Sequence, residues 1–137
     1  MLRLTRCSAD DAGFRSALVA AGLPVEDLGE LGASYFSASG AFGGFVGTGP
    51  DRLLRSVVVP EAARGNGIGS QIVDMIADRA RDEGAARLWL LTTDASRFFS
   101  SLGWVEVDRS TAPEAIKTTT QFASVCPASA SLMVRDL

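Results

Sequence analysis

A glycine-rich turn is the part of the sequence whose residue types and spacing point most directly to chemistry. It runs from Arg64 to Ser70, between a valine-rich segment and an amphipathic one. Such a turn between a strand and a helix leaves backbone N–H groups free to bind an anion, and the helix dipole adds partial positive charge. Glycine at 65, 67 and 69 lets a ligand approach the backbone closely. The turn therefore predicts a phosphate site, and a tight strand–helix turn without a ligand is the alternative.

The spacing of the glycines distinguishes this turn from two common nucleotide-binding motifs. A P-loop requires Gly-Lys-Ser/Thr, and the turn has no lysine; a dinucleotide fingerprint requires G-x-G-x-x-G, whereas Gly65, Gly67 and Gly69 alternate. The pattern that fits is R-x-x-G-x-G, beginning at Arg64. It resembles the coenzyme A loop of the GNAT acetyltransferase superfamily. The segment 98–104, Phe-Phe-Ser-Ser-Leu-Gly-Trp, resembles the short helix that packs beside the pantetheine in that superfamily.

The resemblance implies acetyl-CoA as the cofactor. Backbone groups of Val57 and Val59 would line the acetyl and pantetheine arm, and strands splayed beside Val58 would open the slot. The implied cofactor-binding residues are Val57, Val58, Val59, Arg64, Gly65, Asn66, Gly67, Ile68, Gly69, Ser70, Phe98 and Phe99.

The sequence departs from the superfamily in its proton chemistry. Phe99 stands where many of these enzymes have a tyrosine whose hydroxyl protonates the leaving thiolate. The proton must then come from another group or from water, and Cys126 and Ser129 are the candidate catalytic side chains. For Cys126, a small buried hydrophobic residue is the alternative. The backbone N–H near Val57 would complete the catalytic set by polarising the thioester carbonyl.

A narrower resemblance concerns the substrate. The segments 54–56, 91–93, 112–116 and 121–130 resemble the arsenic-resistance N-acetyltransferases (ArsN-type), which are akin to amino-acid N-acetyltransferases that use glutamate. This resemblance implies that the substrate partner is a small amino-acid-like amine, with an arsenic-containing glutamate analogue among the candidates. The alternatives are acetyl transfer to a protein or peptide, and acyl-CoA binding without catalysis. Phe99 favours acyl-CoA binding without catalysis.

Arg55, Thr92 and Thr93 are the candidate substrate-binding residues. An arginine in a buried strand is costly unless it is paired, and its partner is either a substrate carboxylate or an acid of the same chain. Thr92 and Thr93 end the next strand, where their hydroxyls either position substrate or cap the helix that begins at Asp94. The attacking amine must lose a proton, and the candidate bases, which the sequence does not rank, are Glu26, Glu30 and Glu61.

Composition excludes several classes of protein. The 137 residues are 47% hydrophobic, with a net charge of −3, so a folded core is expected and a nucleic-acid-binding surface is not. Histidine is absent and the two cysteines have no metal-site spacing, which excludes histidine catalysis and predicts no metal. No apolar run reaches the roughly 18 residues that a membrane span needs, and no signal peptide is apparent. A cytoplasmic protein is expected, and the superfamily is compatible with a homodimer.

The order of elements indicates a mixed α/β fold. Strands are predicted at 2–6, 34–39, 41–47, 52–59, 87–92, 104–107 and 129–135, and helices at 8–22, 26–31, 70–83, 94–102 and 111–125. The continuous apolar run in the strand at 52–59 predicts burial on both faces. The resemblance implies one GNAT domain over residues 1–137, with a mostly antiparallel sheet of about seven strands, flanking helices and a splay at the acyl-CoA slot.

Overall fold

The computed structural model describes residues 3–137, and its elements follow the predicted order. The strands are β1 Thr5–Cys7, β2 Ala33–Ala38, β3 Ala41–Val46, β4 Asp51–Val58, β5 Arg87–Thr92, β6 Val105–Val107 and β7 Ser131–Asp136. The α-helices are α1 Ala12–Ala20, α2 Ile68–Asp82, α3 Ser96–Ser101 and α4 Glu114–Lys117. Leu2, in the first predicted strand, lies outside the described residues.

The strands form one sheet in the order β1-β2-β3-β4-β5-β7-β6. β4 and β5 are parallel, and the other neighbouring pairs are antiparallel. The sheet is thus mixed and mostly antiparallel, with helices packed against it, and it confirms the predicted fold class. Across residues 3–137, none of the helices has both the length and the apolar content that a membrane crossing requires.

Strand β4 lies at the centre of the sheet and is covered on both faces, as its apolar run predicts. Leu54 packs with α2 residues such as Ile72 and Ile76. Leu53 faces the other way and packs with Trp89 and Ile116. Because both faces carry buried side chains, the core fixes the position of β4 in the sheet.

Local sequence explains where several elements begin and end. The helix predicted at 8–22 begins later than expected, because Asp11 is the cap of α1: its Oδ1 accepts from the Phe14 N–H at 2.8 Å. The β2–β3 turn uses positive φ at Ser39 and Gly40, 48° and 84°, as a tight hairpin needs. Gly43 lets α2 approach the sheet, because a Cβ there would lie 2.7 Å from Ile76 Cδ1.

Two predicted helices are wrong. Residues 26–29 form a turn, since Gly29 and Gly32, the latter at φ 85°, follow within a few residues and disfavour a helix. The helix predicted at 111–125 is broken into α4 and a separate π turn, Gln121–Val125. The Thr118 and Thr119 hydroxyls between them donate to the carbonyls of Glu114 and Ile116, at 2.9 and 2.6 Å, in bonds of a kind that bend helices.

Candidate active site

A V-shaped opening between β4 and β5 creates the slot. The two strands pair only at Asp51–Arg87, Arg52–Leu88 and Leu53–Trp89, and diverge afterwards. Asp51 closes the narrow end, because it accepts from Arg87 Nε at 2.8 Å and from Trp89 Nε1 at 2.9 Å. Burial alone would raise the pKa of Asp51, but these two hydrogen bonds outweigh it and the pKa is lowered. Beyond Leu53, the backbone groups of β4 that face β5 have no strand partner.

A β-bulge reshapes β4 where it lines this opening. The register with β3 shifts by one residue between the pairs Gly44–Arg55 and Phe42–Val58. Ser56 lies in the bulge with φ 60°, a left-handed conformation that residues other than glycine adopt rarely. The bulge interrupts the ladder at Ser56 and Val57, and Val57 lines the slot. Serine has no special preference for positive φ, so the sequence carries no signal for this feature.

The glycine-rich turn lies at one end of the slot. None of the backbone N–H groups from Gly65 to Ser70 donates to an acceptor within residues 3–137. Gly65 and Gly67 have φ of 93° and 70°, which explains the requirement for glycine there. These amides surround the N-terminus of α2, a helix of 15 residues, so the dipole and the free donors favour an anion at the same place.

The loop cavity is the space between this turn and the end of β4, with a volume of about 470 Å³. The predicted cofactor residues that line it are Val57, Val58, Val59, Arg64, Gly65, Gly67, Ile68, Gly69, Ser70 and Phe98. Asn66 is in the turn but not in the lining. Arg64 donates from Nε to the Val59 carbonyl at 2.8 Å, and its terminal nitrogens donate to no acceptor among the described residues.

The acceptor chamber is a second cavity of about 260 Å³. Ala21 and Val57 line both cavities, so the two spaces adjoin. The chamber walls include Leu23, Pro24, Leu54, Leu90, Leu91 and Ala95, together with the polar residues Arg55, Ser56, Thr92, Asp94, Gln121 and Cys126. The chamber is therefore largely apolar, with a few polar groups.

Helix α3 separates the two spaces with a pair of phenylalanines. Phe98 is 40% exposed and lines the loop cavity, whereas Phe99 is buried and lines the chamber. The Phe99 ring packs edge-on against Trp104, with centroids 5.7 Å apart. Phe99 therefore gives the chamber an apolar surface at the position where a tyrosine hydroxyl was expected in the superfamily.

Arg55 forms an ion pair with an acid of the same chain, one of the two kinds of partner predicted for it; the other was a substrate carboxylate. Its Nη1 and Nη2 contact the two carboxylate oxygens of Asp27 at 2.9 and 2.8 Å, and the side chain is fully buried. Glu30 Oε1 lies 3.6 Å from Nη1. Since Asp27 occupies the guanidinium fork, the structure offers no bidentate site on Arg55 for a substrate carboxylate.

The structure also separates the two threonines. Thr92 lines the chamber, but its Oγ1 accepts from the Ala95 N–H at 2.9 Å, which is the capping role predicted as its alternative. Thr93 is exposed and lines neither cavity. Ser56 and Gln121 are therefore better placed to bind a substrate directly than either threonine hydroxyl. Neither of these two residues was predicted from the sequence.

Of the candidate proton donors, only Cys126 lies in the chamber wall. Its Sγ–H donates to Gln121 Oε1 at 3.8 Å. Burial raises the pKa of the Cys126 thiol, the Asp27 carboxylate raises it further, and Arg55 and Arg109 oppose the shift. Ser129 is exposed and lines neither cavity, so its prediction as a catalytic residue is not supported by its position.

The predicted bases also lie outside both linings. Glu30 Oε2 accepts from the Thr120 N–H at 3.0 Å, Glu26 accepts from the neighbouring Val25 N–H, and Glu61 is exposed. Asp94 is the carboxylate that the fold brings to the chamber, and it forms no ion pair within residues 3–137. From the sequence, Asp94 was predicted only as the first residue of a helix, and its position at the slot was not predicted.

Comparison with known proteins agrees with this arrangement. Residues 30–106, more than half of the chain, match the family model described as "Acetyltransferase (GNAT) domain". No curated protein sequence matches the chain significantly.

Three solved structures illustrate the similarity of fold. N-acetylglutamate synthase from Neisseria gonorrhoeae, complexed with coenzyme A and N-acetyl-glutamate, matches with a TM-score of 0.79 and 18% identity, covering 100% of this chain and 35% of that one. A GNAT-family acetyltransferase from Staphylococcus aureus has a TM-score of 0.78 and 14% identity, with 100% and 99% covered. Rv2747 from Mycobacterium tuberculosis, in complex with CoA, has a TM-score of 0.77 and 19% identity, with 98% and 99% covered. The chain thus spans about a third of the synthase.

Proposed function

Because the chain belongs to the GNAT acetyltransferase family, we propose that it transfers an acetyl group from acetyl-CoA to the primary amine of a small amino-acid-like substrate. One observation carries the proposal: the loop cavity and the acceptor chamber adjoin at Val57, on the stretch of β4 that has lost its partner strand. A donor held along one cavity and an amine held in the other would meet at that residue. The single domain over residues 1–137, the homodimer and the cytoplasmic location stay predictions.

The residues around the loop cavity fit acetyl-CoA. The free N–H groups of Gly65 to Ser70 would hold the pyrophosphate, and the terminal nitrogens of Arg64 would contact its oxygens. Val57 to Val59 and Phe98 would contact the pantetheine arm. Bound acetyl-CoA supplies the acetyl group as a thioester. CoA in the structures of the Neisseria and Mycobacterium proteins supports this choice of cofactor.

The acceptor chamber fits a small amine with a carboxylate. Gln121 Oε1 accepts from Cys126, which leaves Nε2 free to donate. Ser56 Oγ accepts from Arg55 Nε at 3.1 Å, which leaves its own O–H free to donate. We assign these two donors to the substrate carboxylate, in place of Arg55. The unpaired carboxylate of Asp94 would attract the ammonium group of the same molecule.

Two further similarities favour glutamate or an analogue of it. The synthase that this chain resembles in fold is complexed with N-acetyl-glutamate. Segments 112–116 and 121–130 resemble the ArsN-type enzymes, and Gln121 and Cys126 from the second segment line the chamber. An arsenic-containing glutamate analogue therefore belongs among the acceptors to be tested, and arsenic resistance is the context that this resemblance implies.

Two side chains would take part in proton transfer. The attacking amine must be neutral, and Asp94, which is exposed at the chamber, would take its proton or relay it to water. Cys126 would give the proton at Sγ to the leaving thiolate and would regain one, through water, from the acylated nitrogen. The backbone N–H groups at the bulge would hydrogen-bond the thioester carbonyl.

The test is a thiol-release assay with acetyl-CoA and a panel of amines. The panel contains glutamate, its arsenic-containing analogue, the matching amine without the carboxylate, and a lysine-containing peptide. The proposal expects turnover of an amino acid, with kcat/KM above that of the amine without the carboxylate. Turnover of the peptide alone would show that the substrate is a protein or peptide and not a small amine.

A second candidate function is acyl-CoA binding without transfer, and Phe99 is the observation that favours it, because the chamber lacks a tyrosine hydroxyl. Acetyl-CoA binding in calorimetry, with no thiol release for any amine in the panel, would establish this function in place of the first. Absence of both binding and turnover would contradict both.

A further inference from the structure

One buried guanidinium connects the bulge to the walls of the acceptor chamber. Arg55 donates from Nε to Ser56 Oγ at 3.1 Å, on the bulge itself. It also donates to the carboxylate and, at 3.3 Å, to the backbone carbonyl of Asp27. Asp27 follows Leu23 and Pro24, which form one wall of the chamber. Every nitrogen of the Arg55 guanidinium is therefore hydrogen-bonded, either to the bulge or to Asp27.

A second carboxylate extends these contacts to the opposite wall. Glu30 Oε1 lies 3.6 Å from Arg55 Nη1, and its Oε2 accepts from the Thr120 N–H at 3.0 Å. Thr120 precedes the turn that carries Gln121, and Cys126 follows the same turn; both line the chamber. The segment after α1, the bulge in β4 and the C-terminal turn are thus held at a fixed separation through one side chain.

We propose that Arg55 is a positioning residue for acetyl transfer, a role that rests on the proposed function. Through Ser56 it holds the bulge in its left-handed conformation, which sets the direction of the backbone N–H groups facing the thioester. Through Asp27 and Glu30 it sets the width of the chamber in which the amine lies. Reaction rates are sensitive to such positioning, since a displacement of about 1 Å lowers turnover by about a hundredfold.

Arg52 provides a matched control in the same strand. It is buried to the same extent as Arg55, 3% exposed, and pairs with Glu83 at 3.1 Å. Its other hydrogen bonds go to the Thr48, Gly49 and Glu83 backbone carbonyls, and it lines neither cavity. Arg52→Met and Arg55→Met each remove a buried guanidinium from β4. Glu83 keeps its ion pair with Arg79 at 3.1 Å in Arg52→Met, whereas Arg55→Met removes the partner of Asp27 and frees the chamber walls.

The first arm of the test compares kinetics. Arg55→Met is expected to lower kcat/KM for the amine by about tenfold to a hundredfold, with the acetyl-CoA Kd unchanged in calorimetry. Arg55→Lys keeps the charge opposite Asp27 and should recover part of the loss. Arg52→Met should lower Tm but leave both constants at the wild-type values. Equal losses of kcat/KM in Arg52→Met and Arg55→Met would overturn the proposal.

A second pair of variants avoids a buried charge and remains decisive if Arg55→Met does not fold. Ser56→Ala removes the hydroxyl that Arg55 Nε contacts and that we assign to the substrate carboxylate, so the readout is kcat with the amine that lacks the carboxylate, which should fall because the bulge is no longer held. Ser34→Ala is its control, because Ser34 Oγ accepts from Arg6 at 3.3 Å in a strand that does not line the slot. Full activity of Ser56→Ala would contradict the positioning role.

Hydrogen exchange separates failure of this inference from failure of the proposed function. Faster exchange at 54–58 and 120–126 is expected in Arg55→Met and not in Arg52→Met, whether or not any amine is acetylated. If wild-type protein releases no thiol with any amine, the proposed function fails, and the exchange result still decides whether Arg55 holds the slot. Unchanged exchange in both segments of Arg55→Met would overturn the inference.

Discussion

Gly67 offers a quantitative test of the cofactor loop. Its φ of 70° is left-handed, and a Cβ there would meet no other atom within 4 Å, so alanine introduces backbone strain without a clash. Left-handed backbone costs a residue with a Cβ about 1–2 kcal/mol. If the free loop of Gly67→Ala relaxes to negative φ and acetyl-CoA binds only the left-handed form, the variant must supply that free energy on binding. Because 1.4 kcal/mol is a factor of ten, acetyl-CoA should bind about 5- to 30-fold more weakly.

Gly84 is the matched control for this experiment. It follows the other end of α2 with φ 104°, and a Cβ there would also meet nothing within 4 Å. Gly84→Ala therefore introduces strain of the same kind at the other end of α2 and should leave the acetyl-CoA Kd unchanged in calorimetry. Wild-type affinity in Gly67→Ala, or equal weakening in both variants, would refute the assignment of the loop. Gly67→Val adds a β-branched side chain at the same φ and should weaken binding further.

Three further predictions follow from single side chains. Tyr35 is the only tyrosine, and burial raises its pKa to about 12. Because the fold favours the neutral phenol, Tyr35 contributes stability that is fully present below the unfolded pKa of about 10 and is lost as pH rises through about 12. Equal phenolate absorbance midpoints in native and urea-unfolded protein would contradict this prediction. Asp94→Asn should raise KM for the amine and lower kcat/KM, with the exposed Asp10→Asn as control. Unchanged KM and kcat/KM in Asp94→Asn would remove Asp94 from the site. Cys126→Ala should lower kcat by about a hundredfold or more, as loss of a proton donor does, without changing the acetyl-CoA Kd, whereas Cys7→Ala should retain activity. Unchanged kcat in Cys126→Ala would leave water as the donor.

The cofactor end of the slot was predictable because its signals are local. The central strand was expected at 52–59 and is Asp51–Val58, and the following helix was expected to end near Glu83 and ends at Asp82. A continuous apolar run and alternating glycines act over a few residues, so one sequence is enough to place them. The helix expected at 111–125 failed because bonds from the Thr118 and Thr119 hydroxyls compete with its own ladder.

The acceptor end depends on contacts between distant residues, and the sequence could not decide it. Arg55 was equally compatible with a substrate carboxylate and an internal acid, and its partner, Asp27, lies 28 positions earlier. Asp94 was hidden by its place at a helix start. The left-handed Ser56 has no sequence signal, because the strain is imposed by the register between β3 and β4. These features arise from packing across the sheet.

Amide chemical shifts measured with two ligands test the location of the cofactor most directly. CoA carries the pyrophosphate, whereas pantetheine has the same arm without it. The free amides of Gly65 to Ser70 should shift with CoA and stay unchanged with pantetheine, while Val57 and Phe98 should shift with both. Loop amides that do not respond to CoA, or that respond equally to pantetheine, would contradict a pyrophosphate site at this turn.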